Sequence, residues 1–577
     1  MFLFLHVCSP VYIREKTPTF CSYQYKKRNK SSLAKSFLCA KMEANIGFLS
    51  LFLLVPFIHF LTKRFWHQRD SKENQGCKQH YPLPPTPKCL KPWPIIGNLP
   101  QLLTNKPTFR WIHKMMDEMN TEIACIRLGN TNVIPITCPQ LSREILKKQD
   151  AIFASRPLSI STFLITKGYI TTAMVPFGEQ WKKMRKVIMS ELLSPMRHKW
   201  LTDKRVEEAD HIVKYVYNQC KNNEGGGIVN LRLATQHYCA NVIKKMLLNK
   251  RYFGEEMEDG GPGLEEQKYL ENVFTMLNYI YSFSASDYIP CLRGHDLDGH
   301  EKIIKDAIRD TGKYQDPLIE ERVREHKKLG NNKEAQDLLD ILISLKDKNG
   351  EPLLSLEEIK AQVNELIMAA VDNPSNAAEW AIAEMINQPE LFEKATQELD
   401  AVVGKNRQVQ ESDLSQLNFV KACAREAFRL HPVAPFNVPH VSMADTTVGD
   451  YFIPKGSHVI LSRVGLGRNP KVWDEPLKFK PERHLKDDGS GVVLTESELR
   501  FISFSTGMRG CVASGLGTAI TVMLFARLLH GFSWHVPPTE SSIELTESQN
   551  DLLLLLAKPL LAYAKPRLAA HVYNMGN

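Results

Sequence analysis

The chain has 577 residues, 43% of them hydrophobic and 24% charged, a globular balance. Its net charge of +9 is local: residues 1–41 hold eight Lys/Arg against Glu15 and contribute +7, leaving +2 for the rest. That excludes from the body the concentrated basic stripe by which nucleic-acid binding is recognised, so no nucleic-acid partner is expected. The twelve cysteines are scattered, with no C-x-x-C pair and no His/Cys cluster at zinc spacing. They read as reduced thiols in a body facing the cytosol.

In chain order, residues 1–41 are a basic extension. Residues 44–62, ANIGFLSLFLLVPFIHFLT, then run 19 residues without a charge, near the roughly 20 that span a bilayer as a helix. Lys63, Arg64, Arg69 and Lys72 follow, which places the C-terminal body in the cytosol. Both flanks of the anchor are therefore positive. A start at Met42 would remove the conflict, so residues 1–41 are read as an extension outside the translated protein, with a transit peptide as the alternative. Residues 63–100 form a basic, proline-rich hinge ending in LPPTPKCLKPWPIIGNLP, where proline cannot propagate a helix. Residues 101–577 read as one large domain, mostly helical, without internal repeats.

Ser355 and Glu358 form a capping box, and Pro389 ends a mostly apolar run. The expectation is one long buried helix interrupted at Pro374, which leaves the Ala370 carbonyl without its helical N–H. Asp372, Asn373, Ser375 and Asn376 surround that break. They fit equally a site where water or ligand meets the backbone and a structural kink capped by its own side chains. A second helix, LNFVKACAREAFRLHP, carries Glu426 and Arg429 on one face. Alone, such a pair is more often a solvated surface pair. Arg483, in FKPERHL, is available to make it a buried scaffold network.

Near the C-terminus comes FSTGMRGC, residues 504–511. Gly507 and Gly510 permit a tight turn with positive φ. An apolar helix over 512–532 follows, with Gly531 as its expected C-cap. Cys511 is thus placed at a helix N-terminus, where free N–H groups favour a thiolate. A nucleophilic role needs a histidine base that the sequence does not point to. A metal ligand with no second soft ligand in reach needs a metal bringing its own equatorial ligands, as haem does.

At these residues the chain resembles the cytochrome P-450 superfamily. It has F-x-x-G-x-R-x-C, an upstream E-x-x-R, P-E-R between them, and W-x-x-x-R at Trp181 and Arg185. The resemblance implies a mainly α fold with a smaller β region, one haem-thiolate domain behind a membrane anchor. It implies haem b with Cys511 as axial thiolate, and Trp181, Arg185, Arg509 and His440 as partners of the haem propionates. Glu426, Arg429 and Arg483 become scaffold residues. Thiolate ligation favours O–O cleavage. Electrons come from outside, implying an NADPH–cytochrome P-450 reductase on the same membrane lipid face. Single-pass residence in the endoplasmic reticulum membrane follows, the catalytic domain in the cytosol.

The acid–threonine pair usual at the central kink is here Asp372-Asn373. DNPSNAAEW, APFNVPHVSMADTTVGDYFIPKGS, SFSTGMRGC and AKPRLAAH look like the plant amino-acid N-monooxygenases. That resemblance implies conversion of an L-amino acid to its aldoxime by two N-hydroxylations, decarboxylation and dehydration, toward defence compounds such as cyanogenic glycosides. Asp372 and Asn373 are the catalytic candidates; Ser375, Asn376 and Phe436 are pocket candidates. Residues 160–175, 433–438 and 552–556 are apolar candidate walls, which favours phenylalanine or valine/isoleucine. Met508 replaces an expected basic residue, and DLLLLLAKPL is about two residues longer than the resemblance leads one to expect. The rival readings are an oxygen-independent haem-thiolate isomerase or dehydratase, and a carbon hydroxylase of a lipid or terpenoid.

Overall fold

Helical periodicity organises the chain around one strut. The computed structural model describes residues 81–87, 92–221, 226–280, 282–329, 334–486, 488–549 and 552–573. Six of its helices bear on the site: α1 (Glu179–Val187), α2 (Leu231–Leu248), α3 (Leu356–Ile386), α4 (Asn418–Leu430), α5 (Arg463–Gly467) and α6 (Ser514–Gly531). Nine strands are β1 (Ile126–Leu128), β2 (Thr131–Ile136), β3 (Gly227–Asn230), β4 (His440–Val441), β5 (Thr446–Val448), β6 (Tyr451–Ile453), β7 (His458–Leu461), β8 (Phe532–His535) and β9 (Leu561–Pro566). The fold is mainly helical with a small β region.

The strut is α3, 31 residues long and buried along most of its length. Its capping box forms as expected: Ser355 Oγ accepts the Glu358 N–H at 3.2 Å, and Glu358 Oε2 accepts the Ser355 N–H at 2.9 Å. Helices α2, α4 and α6 pack on it. The helix runs through the proline rather than ending there. Ser375 Oγ donates to the carbonyls of Val371 at 2.6 Å and Asp372 at 3.2 Å, one turn back along the helix.

The four-stranded sheet has the order β1-β2-β7-β4, with β2 and β7 parallel and the other pairs antiparallel. A second sheet is ordered β3-β9-β8, and β5 and β6 form a separate antiparallel pair. The described part of the proline-rich segment lies along this β region. Pro82 and Pro85 lack N–H groups but keep carbonyls, which accept from Phe452 N–H at 2.8 Å and Cys125 N–H at 2.9 Å.

Two local expectations are corrected. Gly531 is not a left-handed cap: it is the last residue of α6, and Phe532 at φ −139° enters β8 directly. Gly510 has an ordinary φ of −59°, whereas Gly507 has the positive φ of +73°. Among the described residues no helix is long and apolar enough to cross a membrane. The extension 1–41, the anchor 44–62 and most of the hinge lie outside the described residues.

Candidate active site

Cys511 opens the site. A Cβ on Gly507 would come within 2.2 Å of the Leu146 carbonyl oxygen, so only glycine fits this turn. The chain then folds back, and the Cys511 N–H donates to the Phe504 carbonyl at 2.8 Å. Cys511 is exposed by surface area, but what it faces is an internal cavity enclosing about 310 Å³. Helix α6 begins only at Ser514, so Cys511 sits in the preceding loop rather than in the first turn. Burial pushes its thiol up, outweighing the Ala513 N–H and the charges of Arg185 and Arg463. The Ala513 N–H favours the thiolate, as expected, without offsetting burial; a metal cation at the sulfur would supply the missing compensation.

Beside it lies a cluster of cations. Trp181, on α1 and buried, carries Arg509 at 4.5 Å and Arg185 at 5.6 Å from its ring centroid. Arg509 donates to the carbonyls of Ala154, Val175 at 2.6 Å and Thr172 at 3.4 Å. Arg185 donates to Gly510 O at 3.3 Å. Among the described residues neither has a carboxylate within ion-pair distance. Burial, then repulsion from Arg185, lowers Arg509 to about 9.

His440 does not line the cavity; Arg156 does, donating to Val438 O at 3.0 Å and Pro439 O at 2.9 Å. His440 Nδ1 is 2.7 Å from Phe153 O, and a carbonyl can only accept, so Nδ1 carries a proton. Burial and then Arg156 lower the ring's pKa, and its buried Nε2 meets no protein partner.

The kink divides its four polar residues. Asp372, Asn373 and Pro374 line the cavity; Ser375 and Asn376 do not. Asn376 Nδ2 donates instead to His431 O at 3.1 Å, and Ser375 serves the helix backbone. Both pocket assignments are corrected, because consecutive helical positions rotate away from a stripe that runs Glu365, Ala369, Asp372, Asn373. Asp372 Oδ1 accepts the Asn373 N–H at 2.7 Å and Asn373 Nδ2 at 2.9 Å. Burial nonetheless raises the Asp372 carboxyl to about 6, with the Asn373 N–H and Arg463 partly offsetting it. Glu365 is committed to the backbone, accepting from Thr172 N–H at 2.9 Å and Ala173 N–H at 3.0 Å.

Glu426 and Arg429 are completely buried. Glu426 Oε1 accepts Arg429 Nη2 at 2.7 Å, Arg483 Nε at 3.1 Å and the Lys480 N–H at 2.9 Å; Oε2 accepts Arg429 Nε at 2.8 Å. His484 Nε2, unforeseen in the sequence, adds a contact to Oε2 at 2.7 Å. Burial would raise this carboxyl, but Arg429 and His484 hold it down at about 2. The solvated-pair alternative is excluded.

Phe436 is also corrected. It faces a neighbouring cavity and stacks on His113, with ring centroids 5.3 Å apart. Of the candidate walls, Ile165, Thr166, Thr172, Ala173 and Met174 line the Cys511 cavity, as do Asn437 and Val438. Leu552 reaches only the neighbouring cavity. Met508 lies outside both, its N–H donating to Asp150 Oδ2 at 3.1 Å.

Sequence reasoning missed Arg156 and Arg463. Each follows a short structured stretch in a mostly apolar context, FASR and VILSR, and an arginine there was the available signal. In all, four arginines line the cavity against two carboxylates, Glu365 and Asp372. A sulfur ligand at one end, an apolar interior and excess guanidinium charge fit a thiolate-ligated haem, whose paired propionates supply the missing anions.

The family model for cytochrome P450 matches residues 87–563. The chain is 79% identical to a phenylalanine N-monooxygenase of Prunus mume over 92% of this chain and 100% of that protein. It is 60% identical to isoleucine N-monooxygenase 1 of Lotus japonicus over 91% and 96%, and 55% identical to valine N-monooxygenase 1 of Manihot esculenta over 94% and 97%. A zebrafish cytochrome P450 structure with abiraterone shares the fold at a TM-score of 0.64 and 23% identity, covering 80% of this chain and 100% of that one. With the cavity, its cysteine and these similarities together, the chain belongs to the cytochrome P450 family and, within it, to the amino-acid N-monooxygenases.

Proposed function

We propose that this protein converts L-phenylalanine, and less readily a branched aliphatic amino acid, to its aldoxime by two N-hydroxylations followed by loss of carbon dioxide and water. The observation that carries the reading is the cavity itself: apolar walls such as Ile165, Ile188, Leu277 and Phe428, with charged groups at Asp372 and Arg463. An amino acid has that shape, an apolar side chain on a charged head. The 79% identical relative named as a phenylalanine N-monooxygenase supports the choice of side chain.

Haem b, held through Cys511 and by Arg185 and Arg509 over Trp181, supplies oxygen activation when bound. The rest of the work belongs to the chain. The apolar walls exclude bulk water, and desolvation lowers the pKa of the bound ammonium, so that it gives up its proton within the site and frees the lone pair that reacts. Asp372 Oδ1 is engaged by Asn373, so Oδ2 is the atom that takes and releases a proton. A carboxyl poised at about 6 exchanges that proton readily near neutral pH. Asn373, in place of a hydroxyl, keeps the acid oriented and lends its carbonyl to a water.

Electrons come from an NADPH–cytochrome P-450 reductase. Residues 44–62 anchor the protein in the endoplasmic reticulum membrane with the catalytic domain in the cytosol, and residues 63–100 form its hinge. The test is reconstitution in membranes with reductase and NADPH, offering each of the common amino acids and detecting aldoxime by mass. Phenylacetaldoxime as main product supports the reading. No aldoxime from any amino acid, in a preparation whose reduced carbon monoxide complex shows thiolate ligation, overturns it.

A further inference from the structure

We propose that Arg463 holds the α-carboxylate of the amino-acid substrate while Asp372 faces its ammonium group. The inference rests on the amino-acid reading above and names the groups that recognise the head.

Arg463 is the first residue of α5, directly after β7. Ser462 caps the helix by accepting the Gly465 N–H at 2.7 Å, and the Arg463 N–H donates to Pro435 O at 2.9 Å. Its backbone is therefore fixed, and its side chain enters the cavity beside the α3 kink. There Nη1 reaches Asn373 Oδ1 at a long 3.4 Å, and Nε is buried with no partner. A buried guanidinium N–H left unsatisfied is costly and signals a missing acceptor.

The other cavity arginines differ. Arg156 and Arg509 each direct Nε and a second nitrogen onto backbone carbonyls. Arg185 lies with Arg509 on Trp181. Those three form the cofactor side. Arg463 also acts on the Cys511 sulfur, but unlike them it borders Asp372, a carboxylate whose charge it feels, though no ion pair forms between them among the described residues. A guanidinium presents Nε and Nη as a fork matched to a carboxylate. The unfilled Nε edge of Arg463 is such a fork, and Asp372 nearby supplies the opposite charge. Together they complement a zwitterion, which adds no net charge to the buried cavity.

The test uses the haem-loaded enzyme and reads binding rather than turnover. L-Phenylalanine and phenethylamine, the same molecule without its carboxylate, are titrated against the visible spectrum of wild type, Arg463→Gln and Arg463→Lys. Arg463→Gln is expected to weaken L-phenylalanine by about 100-fold and phenethylamine by less than about threefold, with Lys recovering part of the loss. Haem content and thiolate ligation are expected to stay at wild-type levels. Equal weakening of both ligands, weakening of neither, or loss of haem in the Gln variant overturns the assignment. If the wild type binds no amino acid, the amino-acid reading fails and this inference with it; if it binds them and the variants match it, only the inference fails.

Discussion

Around Glu426, a carboxylate, two arginines and a histidine close on one another, and Arg429 turns its remaining N–H groups onto the carbonyls of Gly467, Pro476 and Lys478. Around Cys511, four arginines meet only two carboxylates, one of which is already bound to backbone N–H groups. Both clusters are buried. Both hold two arginines for each carboxylate. In the first, Glu426 is hydrogen-bonded directly by both arginines, so the chain closes the network itself. In the second, Arg185, Arg463 and Arg509 have no carboxylate within ion-pair distance among the described residues, and their charge faces the cavity. The residue types are nearly the same; the difference is whether the charges are paired internally.

The largest test of this contrast is Glu426→Ala. It strands Arg429 without its anion, and the expected cost is about 3–5 kcal/mol, a large part of ordinary net stability. Chemical denaturation reads it as a much lower midpoint or as no folded protein.

Next is Asp372→Asn, with turnover expected to fall about 100-fold or more while the fold persists. The two carboxyls also titrate in opposite senses. Asp372 is raised from 3.8 to about 6, so ionising it costs stability; the fold gains as pH falls through 6 toward 3.8, and the Asn variant loses that trend. Glu426 is lowered from 4.5 to about 2, so its contribution is present above 4.5 and disappears as pH falls through 2. Unfolding midpoints across that range, for wild type and the Asn variant, separate the two. Wild-type turnover should decline as pH drops below about 6.

Arg509→Leu should hit the cofactor harder than the fold. It relieves the repulsion on Arg185 but strands the carbonyls of Ala154 and Val175, so the cofactor-free fold should lose about 1–2 kcal/mol, less than Glu426→Ala, while haem affinity drops by about 10- to 100-fold. Haem titration of the apoprotein checks this, and a fold lost as badly as in Glu426→Ala would erase the distinction. His484→Gln weakens the closed network by about 1–2 kcal/mol, read by thermal unfolding. Ser375→Ala is the mildest: its hydroxyl serves the helix backbone, so turnover should change by less than about twofold.

Much of this was legible in linear order. The capping box, the long apolar run and the tight turn at Gly507, with its positive φ of +73°, each follow from local rules of helix ends and turns. His484 and Arg463 were not legible as partners, because they lie 58 residues from Glu426 and 90 from Asn373 in the chain. His440 and Phe436 were placed by position in a motif, yet the backbone turns one toward Phe153 O and the other toward His113.

By itself, the sequence determined where helices begin, which cysteine could bind a metal, and which family the chain resembles, since these depend on neighbours within a few residues. Only the tertiary structure decided which charges are closed and which are open. Charge balance is set by every group packed around a site, and α3, α5 and the loop before α6 come together only when the chain has folded.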